Sequence, residues 1–365
     1  MTAISHTTRK NPVFGRYRLL SLIGAGGYAR VYRAEEFDGD MRLVAVKMAR
    51  DCGDGKSRKV VRALTNEAEI MSRLHHRNLV EVYEFGQISG RYFIAMELIA
   101  GLSLRDMLKR CARRGITFGP VAASDVLLQV ASALQHAHNL RDDEGVVRPV
   151  IHRDLKPANV MVSRHAQIKV MDFGVAKWPL AEVSTTAGII KGTPLYMAPE
   201  QVRAKPVTPA SDIFSLGTVF YLLLTNRPLF QADTVRELLR QVALAEVKEQ
   251  LERVPADCKP LLPILQEALQ RDPAARFASA GEFVAALREA RSQVSDDSDL
   301  HTLVRAIFGA GRASDRPPPP PKPSTVERID GGDWSVRIDR KQVLADYEGK
   351  RLVERQRPGS GSTDS

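Results

Sequence analysis

From Tyr17 onward the apolar positions alternate, with Leu20 and Leu22 on one side and Leu19 and Ile23 on the other, which predicts a strand running into a cluster of glycines. A second strand is expected at 29–35 and a third at 43–48. In the third, Ala45 and Lys47 share one face and Val44 and Val46 the other, so Lys47 points to the side that Ala45 lines. Residues 57–76 carry Val61, Leu64, Ala68 and Met71 at helical spacing. Glu67 borders that stripe. A carboxylate at the edge of a buried face wants a cation, and Lys47 is the obvious partner, whereas Glu69 lies off the stripe. Residues 92–97 form another expected strand. Beyond Leu102 the period becomes helical, at 104–111, 124–138, 211–224, 235–244, 261–270 and 280–291, punctuated by Pro228, Pro255, Pro260, Pro263 and Pro273. Residues 141–149 read as an exposed turn.

Two segments of this pattern carry chemistry. His152 to Asn159 spell HRDLKPAN, and Asp172-Phe173-Gly174 follows. Asp154 can accept a proton from a hydroxyl, and Asn159 and Asp172 offer hard oxygen ligands of the kind Mg²⁺ takes. A glycine-rich loop alone is a weak signal. Here the glycines lie between two strands rather than between a strand and a helix, which disfavours a dinucleotide-binding fold.

Together these segments resemble the eukaryotic-type (Hanks-type) serine/threonine protein kinases, most of all the bacterial ones, over roughly residues 17–290. Ile23, Gly24, Ala25, Gly26 and Gly27, continuing to Val31, resemble the glycine-rich loop, with Ala29 in place of its third glycine. Val44 to Lys47 resemble the strand bearing the phosphate-binding lysine. Ala198-Pro199-Glu200 closes an activation segment, and DIFSLG from Asp212 resembles the helix that anchors the larger lobe.

The resemblance implies an α+β, bilobal protein-kinase fold. A small, mainly antiparallel N-lobe of about 17–99 carries one helix, and a larger helical C-lobe covers about 100–290. It implies ATP and Mg²⁺ as cofactors, with Mn²⁺ as an alternative ion, and protein substrates. Lys47 would hold the α- and β-phosphates with Glu67 fixing it. Asp172 would chelate Mg²⁺ and Asn159 a second ion. Asp154 would orient the attacking hydroxyl, and Lys156 would stabilise the γ-phosphate. Ile23, Val31, Ala45 and Met161 would wall the adenine, Met96 would be the gatekeeper, and Glu97 to Ile99 would offer backbone groups. Lys156 and Thr193 fit the serine/threonine class, with Thr193 bridging Asp154 and Lys156. Glu200 and Arg276 would form a structural ion pair, and Arg153 would receive a phosphate placed on Ser184, Thr185 or Thr186. His152 is expected to stack near Phe173, and His136 and His138 to serve helix packing and the surface. A pseudokinase scaffold has no chemical need for the full set of Lys47, Glu67, Asp154, Asn159 and Asp172. A small-molecule kinase has no need for the protein-substrate platform around Glu200.

Composition adds bounds. A chain of 365 residues with 44% hydrophobic content suits a two-lobed unit plus a tail. The net charge is +10, and 13 Lys/Arg against 12 Asp/Glu in 291–365 leave nearly all of the excess in the folded body. A solvated basic surface around a nucleotide site is the favoured explanation over nucleic-acid binding. Three cysteines without paired spacing point to a reducing compartment and away from disulfides or zinc. No segment approaches the length of a membrane span, so a cytoplasmic protein is expected.

The ends read as polar: an arm over 1–16, and a tail over 291–365 expected to be largely disordered. Within the tail, 300–308 suits one short amphipathic helix, and the proline run 317–321 is a candidate ligand for a proline-recognising partner. Residues 333–355 receive no assignment.

Overall fold

The computed structural model describes residues 12–26, 29–37, 41–50, 54–142, 144–173, 184–186, 189–191, 194–296, 298–309, 327–329 and 333–337. Gly27, Thr193, the arm before Pro12 and the proline run 317–321, with its expected partner, lie outside them.

The N-lobe strands are β1 (Val13–Phe14), β2 (Tyr17–Ala25), β3 (Ala29–Glu36) and β4 (Arg42–Ala49). Helix α1 (Asp54–Arg73) separates these from β5 (Val82–Ile88) and β6 (Arg91–Glu97). Helix α1 starts and ends three residues earlier than its pattern suggests. Leu64, Ala68 and Met71 are buried as expected. Val44, Val46, Phe93 and Ala95 pack with Phe14 and Tyr17 on one sheet face, while Ala45, Ile94 and Met96 join the α1 side chains on the other. The period-2 reading of β4 thus holds in the packing.

The hinge leads through β7 (Gly101–Ser103) to α2 (Leu104–Arg113) and α3 (Pro120–His138). Ser103 caps α2 by accepting from Asp106 N at 3.1 Å, and Pro120 opens α3 four residues before the expected start. Strand β8 (Val160–Ser163) pairs with β7 on one side and with β9 (Ile168–Val170) on the other, beside the cleft. Strands β10 (Ser184–Thr186) and β11 (Ile189–Lys191) form an antiparallel pair, so Ser184, Thr185 and Thr186 lie in a short ladder.

The C-lobe is completed by α4 (Pro199–Val202), α5 (Pro209–Thr225), α6 (Val235–Leu244), α7 (Lys248–Leu251), α8 (Leu262–Ala268) and α9 (Ala280–Ser292). Helix α5 is buried nearly all round, as the mostly apolar stretch from Ile213, broken by Ser215, Gly217 and Thr218, suggests. Among the described residues no helix is long and apolar enough to cross a membrane.

The tail meets expectation in one place, the short helix at 300–308, and departs from it in another. Helix α10 (Leu300–Phe308), capped by Asp299, buries Leu300, Leu303, Val304 and Ile307 in the main core. The packed C-lobe therefore extends past residue 290. Strands β12 (Glu327–Ile329) and β13 (Asp333–Arg337) form a hairpin that joins the N-lobe sheet, whose order is β1-β2-β3-β4-β6-β5-β13-β12. This strand pair is ordered structure within a tail expected to be largely disordered.

Candidate active site between the lobes

Strand β4 and helix α1 bring Lys47 and Glu67 together. Lys47 Nζ donates to Glu67 Oε1 at 2.6 Å and Oε2 at 2.8 Å, and to Asp172 Oδ1 at 2.9 Å. Burial alone would lower the Lys47 ammonium, but Asp172 and then Glu67 hold it above its ordinary value. Burial pushes the Glu67 carboxyl up to about 7; Lys47 pulls against that and Asp172 adds to it. One cation between two carboxylates leaves a site ready for a second cation.

Asp172 has φ 57° and Arg153 has φ 65°, both in the left-handed region that few side chains adopt. Such backbone persists where surrounding bonds over-determine it. At Arg153 those bonds are visible. Buried Asp212, on α5, accepts from His152 N at 2.8 Å and Arg153 N at 2.9 Å, and Gln201 Nε2 donates to Arg153 O at 2.9 Å. The His152 and Phe173 rings meet at 4.6 Å as the sequence suggests, but tilted by 40° rather than stacked. Burial lowers its imidazole, so it is neutral in the core. His138 overturns its surface assignment: it is buried, with Nε2 2.8 Å from Asp212 Oδ2.

Lys156 Nζ lies 3.0 Å from Asp154 Oδ1 and 2.9 Å from Oδ2. Asn159 Nδ2 donates to Asp154 O and Oδ2, each at 2.9 Å. With its donors spent there, Asn159 keeps Oδ1 as an acceptor, and Met171 N donates to Asn159 O at 3.0 Å, holding it beside Asp172. Asn159 Oδ1 and the Asp172 carboxylate are hard oxygens that fit Mg²⁺, an ion that completes its shell with water and phosphate.

Strand register brings together some of the residues expected to wall the adenine. Val31 lies opposite Gly24 and Lys47, and Ala45 opposite Met96. Ala45 and Met96 are buried, Val31, Ile99 and Met161 half-buried, and Ile23 is 50% exposed. Glu97 spends its own N–H on Glu81 O at 2.8 Å, so any hinge donor to adenine comes from beyond it.

The sequence reading missed Lys169. Its Nζ donates to Glu97 Oε2 at 2.7 Å and to Leu79 O at 3.2 Å, with both side chains about nine-tenths buried. Alternation between Ile168 and Val170 marks Lys169 as outward-facing; only an acid on the hinge hints at its role. Gln201 and His138 were missed for the same reason: their partners are far away in sequence.

Glu200 and Arg276 meet bidentately, Nη1 to Oε1 at 2.8 Å and Nη2 to Oε2 at 2.9 Å, and Ser211 Oγ donates to the same carboxylate at 2.6 Å. Burial raises the Glu200 carboxyl, but Arg276 and Ser211 more than offset this and hold it below its ordinary value. Arg153 is half-buried rather than buried.

Residues 17–286 match the protein kinase domain family, and the chain belongs to it. It is 31% identical over 328 residues to serine/threonine-protein kinase PknH of Mycobacterium tuberculosis, covering 87% of this chain and 49% of PknH. It is equally 31% identical over 309 residues to tyrosine-protein kinase MasK of Myxococcus xanthus, covering 83% and 48%. The crystal structure of the M. tuberculosis PknI kinase domain superposes with a TM-score of 0.55 at 25% identity, covering 79% of this chain and 99% of that one. The chain spans about half the length of the curated relatives PknH and MasK.

Proposed function

We propose that this chain is a protein serine/threonine kinase that transfers the γ-phosphate of ATP to protein hydroxyls. The observation that carries the reading is the joint placement of Lys47, Glu67 and Asp172 in one ion network beside the Asp154–Lys156–Asn159 cluster. Bound Mg²⁺, or Mn²⁺, would neutralise the phosphates, held by Asp172 and Asn159. Lys47, oriented by Glu67, holds the α- and β-phosphates. Asp154 orients the acceptor hydroxyl and takes its proton. Lys156 supports the charge on the transferred group. Backbone groups of Glu97 to Ile99 meet adenine, with Ile23, Val31, Ala45, Met96 and Met161 around it and Gly24 to Gly27 over the phosphates. Cys111 and Cys258, both buried free thiols, suit a reducing compartment such as the cytoplasm.

Phosphorylation of the activation segment belongs to the same reading. Among the described residues the half-buried Arg153 guanidinium has no ion-pair partner, although its backbone is fixed from both sides. A phosphate on Ser184, Thr185 or Thr186 would supply the anion through charge-assisted hydrogen bonds. Thr185 and Thr186 are the preferred acceptors.

A second reading, tyrosine as acceptor, is favoured by the name of MasK alone. Mass spectrometry after incubation with Mg²⁺-ATP, with Asp154→Ala as blank, decides both points. Phosphate on serine or threonine between residues 177 and 192 supports the proposal. Phosphotyrosine, or an unmodified segment in active enzyme, refutes it.

A further inference from the structure

Strand β5 would be the edge of the N-lobe sheet if β13 did not lie beside it. The register is antiparallel and unbroken over four residues: Trp334 opposite Gln87, Ser335 opposite Gly86, Val336 opposite Phe85 and Arg337 opposite Glu84. An edge strand presents unpaired N–H and C=O groups, and a strand laid along it satisfies them. The sequence carries its own hairpin signal here, since Asp330-Gly331-Gly332 separates the two short strands.

The same tail holds the other lobe. Arg114 Nη1 donates to Ala306 O at 2.9 Å and Ile307 O at 3.1 Å, at the C-terminal end of α10. Arg110 and Arg164 lie 5.9 Å and 5.5 Å from the Phe308 ring. At the other end, Asp125 accepts from Leu300 N at 3.2 Å and pairs with Arg291 at 2.8 Å. Helix α10 is thereby fixed to α2 and α3, and Arg164 N in turn donates to Ala100 O at the hinge, at 2.9 Å.

We propose that the edge of β5 is a docking site for strands β12 and β13 of the same chain, and that their occupancy braces the N-lobe layer that carries Lys47 and Glu67. Chain length favours the occupant in cis. Between Gly309 and Glu327 the intervening chain can reach roughly 55 Å when extended, so the strands and the sheet edge belong to one tethered molecule. Tethering then gives the hairpin an effective concentration on the order of millimolar, far above that of a second copy in dilute solution. The link to catalysis runs through β5. Its buried Glu84 accepts from Arg16 Nη2 at 2.8 Å and from the Tyr17 hydroxyl, and β5 pairs with β6, which pairs with the Lys47 strand β4. Helix α1, which carries Glu67, packs on β5 and β6. Occupying the edge steadies this layer and favours the arrangement in which Lys47 and Glu67 are paired.

The docking half of the proposal stands on backbone pairing alone, and the nucleotide half rests on the kinase reading. The test compares the 365-residue chain, a chain ending at Gly309, and the full chain with Ser335→Pro and Val336→Pro. Of two adjacent strand residues one N–H faces β5 and the other β12, so the double substitution removes a β5 contact in either phase. Hydrogen exchange over residues 82–88 and ATP binding by calorimetry are read on all three. Exchange at the β5 amides facing β13 is expected to quicken about tenfold or more in both altered chains. ATP affinity is expected to weaken about fivefold in both. Unchanged β5 exchange overturns the docking site. Faster exchange with unchanged ATP affinity overturns the brace. Protection that disappears on dilution, with a dimer in light scattering, overturns the cis occupant in favour of a second copy. Absence of any ATP binding in the full chain would sink the kinase reading and the brace, while exchange would still judge the docking.

Discussion

Lys47 Nζ lies 2.6 Å from Glu67 Oε1, and this pair couples the position of α1 to strand β4. Two residues that act through one geometry do not contribute independently. Lys47→Met is expected to lower turnover by about 10²-fold and Glu67→Gln by about tenfold, with the double variant no worse than Lys47→Met alone. Steady-state kinetics on the three variants check this, and losses that multiply would show the pair is not a functional unit.

The raised Glu67 carboxyl carries a pH signature. The unfolded chain releases this proton near 4.5 and the folded chain near 7. Between those values the folded state binds more protons, so the stability from this group is present below about 4.5 and lost as pH rises through about 7. The ionised partner of Lys47 dominates only above that range. Thermal denaturation of nucleotide-free protein across pH 4.5–7 is therefore expected to show a falling component that Glu67→Gln lacks. Parallel curves for parent and variant would contradict the assignment.

Lys169 positions the hinge through Glu97. Lys169→Met is expected to raise the KM for ATP about fivefold with kcat nearly unchanged, and Lys169→Arg to restore it. Because the single variant leaves a buried carboxylate unpaired, Lys169→Met with Glu97→Gln separates folding from positioning. An unchanged KM in the folded double variant would leave Lys169 a packing residue only.

The fold was legible in the sequence wherever a local period or an ordered motif carried it. The face of β4, the stripe of α1 and the buried run of α5 follow from periods of 2 and 3.6. The positions of Lys47, Asp154, Asn159 and Asp172 follow from motif order, and that of Glu67 from the edge of the α1 stripe. What escaped depends on contacts distant in sequence. His138 looks like the exposed end of a helix until Asp212 arrives from α5, and Lys169 looks solvent-facing until Glu97 is across from it. The hairpin 327–337 has no face to bury by itself. Only the β5 edge gives it a partner, which is why composition suggested disorder there.

Arg276 and Glu200 are 0% and 4% exposed as side chains, so removing one leaves the other buried and unpaired. Arg276→Ala is expected to destabilise by about 3 kcal/mol, well beyond the effect at a more exposed arginine such as Arg291→Ala. Chemical denaturation midpoints distinguish the two, and equal shifts would refute the buried-pair account. The depressed Glu200 carboxyl sets the sign with pH: its stabilisation is present above its ordinary value and lost as pH falls through the lower folded value.

The central claim is that Asp154 serves the transfer of phosphate to a protein hydroxyl and does little for nucleotide binding. The direct measurement is transfer of labelled γ-phosphate to a generic acceptor protein, with ATP affinity measured on the same preparations of parent and Asp154→Ala. The account predicts labelled phosphoserine or phosphothreonine from the parent, at least about a 10²-fold loss of rate in the variant, and ATP affinity within about twofold of the parent. Equal rates in the two proteins would contradict it.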